Sequence, residues 1–169
     1  MNKKSFCQNG YTLIEFVIYA GILAVLLGVL STIFTSIVDV QLESTATSSV
    51  NQDGRYLLSK LVYDVKNSST IVTPANPGTS SSTMQVTINS INYTYSASSS
   101  GNFQVVNAST GETNILNSYD TSVSGLTFTR IGNGGSSDTV RVAFTVKSRT
   151  IERAGVQETK SFQTTLGNQ

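Results

Sequence analysis

The stretch that decides the fold lies at residues 10–38 and reads GYTLIEFVIYAGILAVLLGVLSTIFTSIV. The 23 residues from Phe16 to Val38 carry no charge. A helix rises about 1.5 Å per residue, so this run spans roughly 35 Å, which is enough to cross the hydrocarbon core of a bilayer. The sequence therefore predicts a transmembrane helix whose ends lie at Phe16 and Val38.

Two other interpretations of this run are weaker. A cleaved secretory signal has an apolar stretch of only about 7 to 15 residues, followed by a small-residue cleavage site. This run is longer and is not followed by such a cleavage site. A buried core helix that is apolar on every side needs a large surrounding domain, which the rest of the chain does not supply. Lys3 and Lys4 precede the span, and Asp39 and Glu43 follow it. The positive-inside bias therefore predicts a cytoplasmic N-terminus and an exported remainder.

The junction between the polar start of the chain and the apolar run carries a more specific pattern. Residues 1–10, MNKKSFCQNG, end in Gly10, and Tyr11 is followed by the run TLI and then by Glu15. This arrangement resembles the class III signal of type IV prepilins and of the pseudopilins of type II secretion. The resemblance implies cleavage between Gly10 and Tyr11 by a prepilin peptidase, an aspartyl protease of the inner membrane, and N-methylation of the new amine on Tyr11.

Glu15 places a carboxylate at the edge of an apolar helix, where such a group is costly and usually has a partner. After cleavage, the nearest suitable cation is the amine of Tyr11, on the same chain or on a neighbour. In the family resembled, the matching glutamate pairs with the N-terminal amine of an adjacent subunit, and a bundle that excludes water would strengthen that pair. The simpler alternative places Glu15 in the headgroup region of a signal anchor. Beside Gly10 and the TLIE run, we favour the assembly role.

The resemblance also implies partners and a location. The partners are the prepilin peptidase, other pilin or pseudopilin subunits, an inner-membrane assembly platform, and membrane lipid before assembly. The chain is expected as a single-pass inner-membrane protein with an exported C-terminal domain, and afterwards in a pilus or pseudopilus. The apolar run contains no proline, since Pro74 is the first in the chain. Many major pilins carry a proline there, so its absence favours a minor subunit.

Beyond Val38 the sequence stays compatible with a helix and becomes amphipathic. Apolar residues recur at spacings of three and four and predict one buried stripe. The predicted stripe comprises Leu57, Leu58, Leu61, Val62 and Val65. We expect one helix from about Thr12 to Asn67, roughly 85 Å long. The segment TPANPGTSSST, residues 73–83, holds both prolines and predicts a loop after the helix.

From Met84 onward the apolar residues recur with a period of two, which predicts half-buried antiparallel strands. The alternating sets are Val86 and Ile88; Ile91, Tyr93 and Tyr95; Leu126, Phe128 and Ile131; Val140, Val142, Phe144 and Val146; and a closing strand from Phe162 to Leu166. The segments SASSSGN and IGNGGSSD, residues 96–102 and 131–138, predict hairpin turns.

The predicted fold class is α+β, a pilin-like lollipop in which a long N-terminal helix, membrane-spanning in its first half, packs on an antiparallel β-sheet. We assign residues 1–10 to a leader, 11–38 to a transmembrane or filament-core helix, 39–70 to its amphipathic second half, and 71–169 to a β-sheet globular domain. The strand count, with a helix ending in YLLSKLVYDVKNSSTI, is most similar to the J class of minor pseudopilins.

Composition limits the chemistry that the chain can perform. The chain has no His and one Cys, so the commonest zinc and copper ligand sets and His-dependent acid/base catalysis are excluded. We expect no cofactor and no metal. Cys7 would leave with the leader, so no intramolecular disulfide can form. The Gly-rich segment GNGGSSD, residues 132–138, lacks the Lys-Ser/Thr pair of a phosphate-binding loop and predicts a hairpin loop instead.

Five cations cluster toward the C-terminus, and two interpretations of them remain open. They are Arg130, Arg141, Lys147, Arg149 and Arg153. On one face they could bind DNA phosphates, but with Glu152 and Glu158 as neighbours they fit the solvated face of a sheet better. With a formal net charge of +1, a nucleic-acid partner is possible but unsupported.

The favoured hypothesis is therefore a structural subunit, a minor pilin or pseudopilin of a type IV pilus, a DNA-uptake pilus or a type II secretion pseudopilus, and not an enzyme. The alternative is a single-span, membrane-anchored binding protein or adhesin that does not polymerise. A membrane-tethered enzyme is a distant third, because no spacing of carboxylates singles out a catalytic pair.

Overall fold

The computed structural model describes residues 12–131, 139–151 and 155–167. Within them, one helix precedes nine strands. Their bounds are α1 Leu13–Lys66, β1 Thr70–Thr73, β2 Ser80–Ser81, β3 Met84–Ile88, β4 Ile91–Ala97, β5 Phe103–Asn107, β6 Thr113–Ile115, β7 Thr121–Arg130, β8 Thr139–Ser148 and β9 Thr159–Gly167. The chain divides into two compact units, Met1–Gln41 and Leu42–Gln169.

Helix α1 lies within one residue of the predicted bounds at each end. Its start is capped by Thr12, whose Oγ1 accepts a hydrogen bond from the backbone N–H of Glu15 at 3.4 Å. Glu15 lies in the first turn and Lys66 in the last. A negative charge at the N-terminal end and a positive charge at the C-terminal end both stabilise a helix by compensating its dipole. No proline interrupts the 54 residues of the helix. Local signals therefore set both ends of the helix.

The second half of α1 buries one narrow stripe against the sheets. The buried residues are Ala46, Val50, Asp53, Gly54, Leu57, Leu61, Asp64 and Val65. The prediction was right for Leu57, Leu61 and Val65, but Leu58 is only partly buried and Val62 is 44% exposed. A helix turns about 100° per residue, so Val62 faces away from the stripe that holds Leu61. The stripe is thus narrower and longer than predicted.

The strands form two antiparallel sheets. In the first sheet the order is β1-β3-β4-β5-β6, and in the second it is β2-β7-β8-β9. The alternation predicted for β8 is confirmed, because Val140, Val142, Phe144 and Val146 are all buried. Strand β9 closes the second sheet beside β8, as predicted. The fold class is α+β, with the second half of α1 packed on antiparallel sheets.

Three features of the sheets differ from the prediction. Strands β1, β5 and β6 were not anticipated, and Ser80–Ser81 inside the predicted loop pairs with β7 as β2. Ile131 is 44% exposed, whereas Arg130 is buried in its place. Arg130 is in phase with the buried residues Leu126 and Phe128, so it faces the core, whereas Ile131 is one residue out of phase and faces away. The β-bulge between Ser124 and Thr127 changes the phase only between Val123 and Leu126.

One core joins α1 to both sheets. A chain of aromatic rings runs from Tyr95 through Phe103 and Phe144 to Phe162, with ring centroids 5.7 to 6.4 Å apart. Phe162 then reaches the helix at Gly54, where a side-chain carbon would overlap its ring. Gly54 is therefore required for close helix-to-sheet packing, although glycine weakens a helix interior by about 1 kcal/mol relative to Ala.

Candidate membrane and assembly segment

The apolar segment, Phe16–Val38, is exposed along its whole length. Its large side chains, together with Leu13 before it, are 36% to 82% exposed. Apolar surface in water costs about 25 cal/mol per Å², and monomeric soluble proteins rarely expose a continuous patch of this extent. The segment therefore needs a cover that the described chain does not provide.

The segment is long and apolar enough to cross a membrane. None of its most apolar window is buried within the fold, which distinguishes it from the core helix of a soluble protein. Its two threonine hydroxyls bond to the helix itself: Thr32 Oγ1 donates to the Gly28 carbonyl at 3.1 Å, and Thr35 Oγ1 donates to the Thr32 carbonyl at 2.9 Å. Hydroxyls satisfied by their own helix are tolerated in lipid.

A shallow apolar groove follows one side of the segment. Its lining is Gly21, Ile22, Val25, Leu26, Val29 and Leu30. A side-chain carbon added at Gly21 or Gly28 would meet nothing within 4 Å. Small residues on an exposed apolar helix let a neighbouring helix approach closely. The groove is thus suited to helix packing.

Glu15 lies in the first turn of α1, immediately before the apolar segment. It is partly exposed, and the Tyr19 hydroxyl donates to its Oε1 at 3.4 Å. It forms no ion pair with any residue that the structure describes. The predicted cleavage site at Gly10 and Tyr11, including the Tyr11 amine, lies outside the described residues. Cleavage, methylation and the pairing of Glu15 remain predictions.

Two acidic residues that sequence reasoning did not single out lie on the buried stripe of α1. Asp53 Oδ2 accepts hydrogen bonds from the backbone N–H of Ser118 at 2.8 Å, from its hydroxyl at 2.7 Å, and from the Thr121 hydroxyl. This one carboxylate therefore ties α1 to the turn before β7. Its position four residues before Leu57 on the stripe was a visible signal of burial.

Asp64 is the second buried acid. Its Oδ1 accepts from Lys60 Nζ at 2.9 Å, and its Oδ2 accepts from the Tyr95 hydroxyl at 2.5 Å. Burial, together with the hydrogen bond to Asp64, raises the pKa of Tyr95 well above its ordinary value of 10.0. Tyr95 is therefore a stable donor to Asp64 at physiological pH.

The C-terminal cations do not share one environment. The interpretation as a solvated face is wrong for Arg130, which is buried and donates from Nη1 to the carbonyls of Ile71, Pro74 and Ala75 at 2.7 to 3.3 Å. Arg141 and Lys147 are exposed on β8. Arg149 is also exposed, but its Nε donates to the Thr121 carbonyl at 2.8 Å. Arg153 and Glu152 lie outside the described residues.

The Gly-rich segment 132–138 also lies outside the described residues. The strands on either side of it pair antiparallel, with Arg130 opposite Val140, as a hairpin connection requires. Among the described residues, no three His, Cys, Asp or Glu side chains are grouped as metal ligands.

No protein-family model, no curated protein and no solved structure matches this chain.

Proposed function

We propose that the chain is a minor pilin or pseudopilin, a structural subunit of a membrane-anchored filament. One observation carries the proposal: an apolar helix that is exposed along its whole length follows directly on Glu15 and the GYTLI run. The long N-terminal apolar helix and the antiparallel sheets fit a pilin-like fold. The role is structural and assigns no reaction to the chain.

The proposed subunit first lies in the inner membrane with its N-terminus cytoplasmic. Prepilin peptidase cuts after Gly10 and frees the amine of Tyr11, which is then methylated. The apolar segment leaves the lipid sideways and packs among the helices of other subunits. The groove beside Gly21 supports this step, because a small residue on an exposed apolar helix lets a neighbouring helix approach closely.

In such a bundle, Glu15 sets the axial register between subunits. Its carboxylate pairs with the Tyr11 amine of a neighbouring chain, and the scarcity of water there strengthens the attraction. Two charges removed from water are stable only when paired, so a subunit shifted from this register would lose that pair. The exported unit, Leu42–Gln169, needs no such neighbour, because its core is complete in itself.

The filament could belong to a type IV pilus, a DNA-uptake pilus or a type II secretion pseudopilus. The second candidate is a single-span anchored binding protein or adhesin. The exposed apolar segment supports this candidate equally, since lipid alone would cover it.

The N-terminus of the protein isolated from its own cells separates the two candidates. We expect mass spectrometry to find Tyr11 at the N-terminus, methylated, and to find the chain in sheared or detergent-extracted filaments. Cells that lack the prepilin peptidase provide the control and should retain residues 1–10. An uncut chain that begins at Met1 in wild-type cells, and that never co-purifies with a filament, would support the anchored protein instead.

A further inference from the structure

A cleft of about 300 Å³ lies between the last turns of α1 and the first sheet. Its lining is Lys60, Asp64, Ile88, Tyr93, Tyr95, Val105, Asn114 and Leu116. This volume is at the lower end of the range for small-molecule sites, which begins at roughly 300 Å³. The cleft belongs entirely to the unit Leu42–Gln169.

The two buried acids of α1 differ in what surrounds them. Asp53 accepts three hydrogen bonds through one oxygen, from Ser118 and Thr121, and it does not line the cleft. Asp64 instead lines the open cleft, where Lys60 and Tyr95 hold its two oxygens. The Asp64 carboxylate accepts from the buried Tyr95 hydroxyl and also lines the open cleft.

Several polar groups of the cleft retain hydrogen-bonding capacity. An ammonium group has three N–H donors, and Lys60 donates to Asp64 alone among the described residues. The Tyr93 hydroxyl and the Asn114 side-chain amide have no hydrogen-bond partner in the described chain. A hydroxyl and an amide can each donate and accept. The cleft therefore offers both donors and acceptors to a ligand.

The remaining lining sets the character of that ligand. Ile88, Val105 and Leu116 supply an apolar floor. Lys60 and Asp64 form an ion pair at 2.9 Å, so their charges compensate each other and the cleft has no strong preference for an ion. A fitting ligand is neutral, has an apolar face, and carries hydroxyls around its rim.

We propose that this cleft binds a neutral sugar ring. The C–H face of the ring would lie on the apolar floor, and its hydroxyls would exchange hydrogen bonds with Lys60, Tyr93 and Asn114. The binding is independent of the filament role, because an anchored monomer would present the same cleft.

The test uses the full chain in a zwitterionic detergent that has no sugar headgroup. Titration calorimetry and ligand-observed NMR would be run with the methyl glycosides of glucose, galactose, mannose and N-acetylglucosamine, and with acetate and benzoate as anionic probes. We expect saturable binding of at least one glycoside. Tyr93→Phe and Asn114→Ala should each weaken that binding about 5- to 10-fold, the loss of roughly one hydrogen bond.

Tyr63→Phe is the matched control, since Tyr63 is 66% exposed on α1 outside the cleft. It should bind like the unaltered chain. Both cleft variants change partly or fully exposed side chains, and an unchanged unfolding curve would confirm that they fold. Absence of saturable glycoside binding, equal binding by both cleft variants and the control, or a preference for the anionic probes would each overturn the proposal.

Discussion

The two halves of α1 both carry large apolar side chains, but only the second half buries them within the fold. From Leu13 to Val40 the large apolar side chains are at least about one third exposed, whereas Leu57, Leu61 and Val65 are completely buried. Burying such a side chain stabilises a fold by about 1.5 to 3 kcal/mol. The second half obtains this stabilisation from its own sheets, whereas the first half has no such cover among the described residues. Under the proposed function, lipid or other subunits would cover the first half.

Truncation of one leucine in each half should show the sharpest contrast. Leu61→Ala removes a fully buried side chain and leaves a cavity, so we expect it to lower the free energy of unfolding by about 2 to 5 kcal/mol. Leu26→Ala changes an exposed side chain in the apolar segment and should leave that free energy within about 0.5 kcal/mol. Denaturant titration in detergent, followed by the near-ultraviolet signal of the tyrosines, measures both. Equal losses would contradict the division of roles.

Removal of the Asp53 carboxylate should give the next largest effect. Asp53→Ala leaves the Ser118 N–H and the Thr121 hydroxyl without their acceptor. Hydrogen bonds to a charged group contribute about 1.5 to 3 kcal/mol each, so we expect a loss of about 3 kcal/mol in the same titration. Asp120→Ala is the matched control, because Asp120 is exposed in the same turn. A loss of equal size in the control would show that Asp53 is not the specific tie.

Alkaline pH should lower the free energy of unfolding through the ionisation of Tyr95, with a smaller effect than the two substitutions above. Its pKa is raised in the fold by burial and by Asp64, whereas an unfolded tyrosine titrates near 10.0. The folded state then holds the proton longer than the unfolded state does. The stability contribution is therefore present below about pH 10 and is lost as the pH rises above it.

The expected slope is about 1.4 kcal/mol of unfolding free energy per pH unit above pH 10. Tyr95→Phe should start less stable at neutral pH, because Asp64 loses a donor, and should then show a shallower decline. Tyr63→Phe is the matched control and should follow the unaltered chain. Denaturant titrations at several pH values measure the slopes, and identical slopes for all three chains would refute the role of Tyr95.

The sequence predicted the parts of the fold that depend on local pattern. The cap at Thr12 and the absence of proline determined α1, and the strict alternation from Val140 to Val146 determined β8. The burial of Arg130 was missed because a charged side chain is rarely buried, although Arg130 is in phase with Leu126 and Phe128. The cleft at Asp64 was also missed, since its partner Tyr95 is 31 residues away in the chain. Such sites arise from tertiary packing, on which local spacing carries little information.

Substitution of Glu15 should change the free energy of unfolding least of all. It tests most directly whether the first half of α1 acts in assembly and not in folding. Glu15→Ala alters a partly exposed residue outside the core, so the free energy of unfolding should stay within about 0.5 kcal/mol. In the native cell we expect normal trimming after Gly10 but reduced recovery of the variant in purified filaments, because the Tyr11 amine of the neighbour loses its counter-ion.

Glu43→Ala is the matched control for this experiment, as it removes an exposed acid from the other half of α1. It should be trimmed and incorporated normally. Quantitative mass spectrometry of filament and membrane fractions measures both variants. If Glu15→Ala is incorporated as well as Glu43→Ala, the pairing mechanism is wrong, while a trimmed N-terminus would still support a pilin-like subunit. The charge at the start of the apolar segment would then contribute only to its position in the membrane.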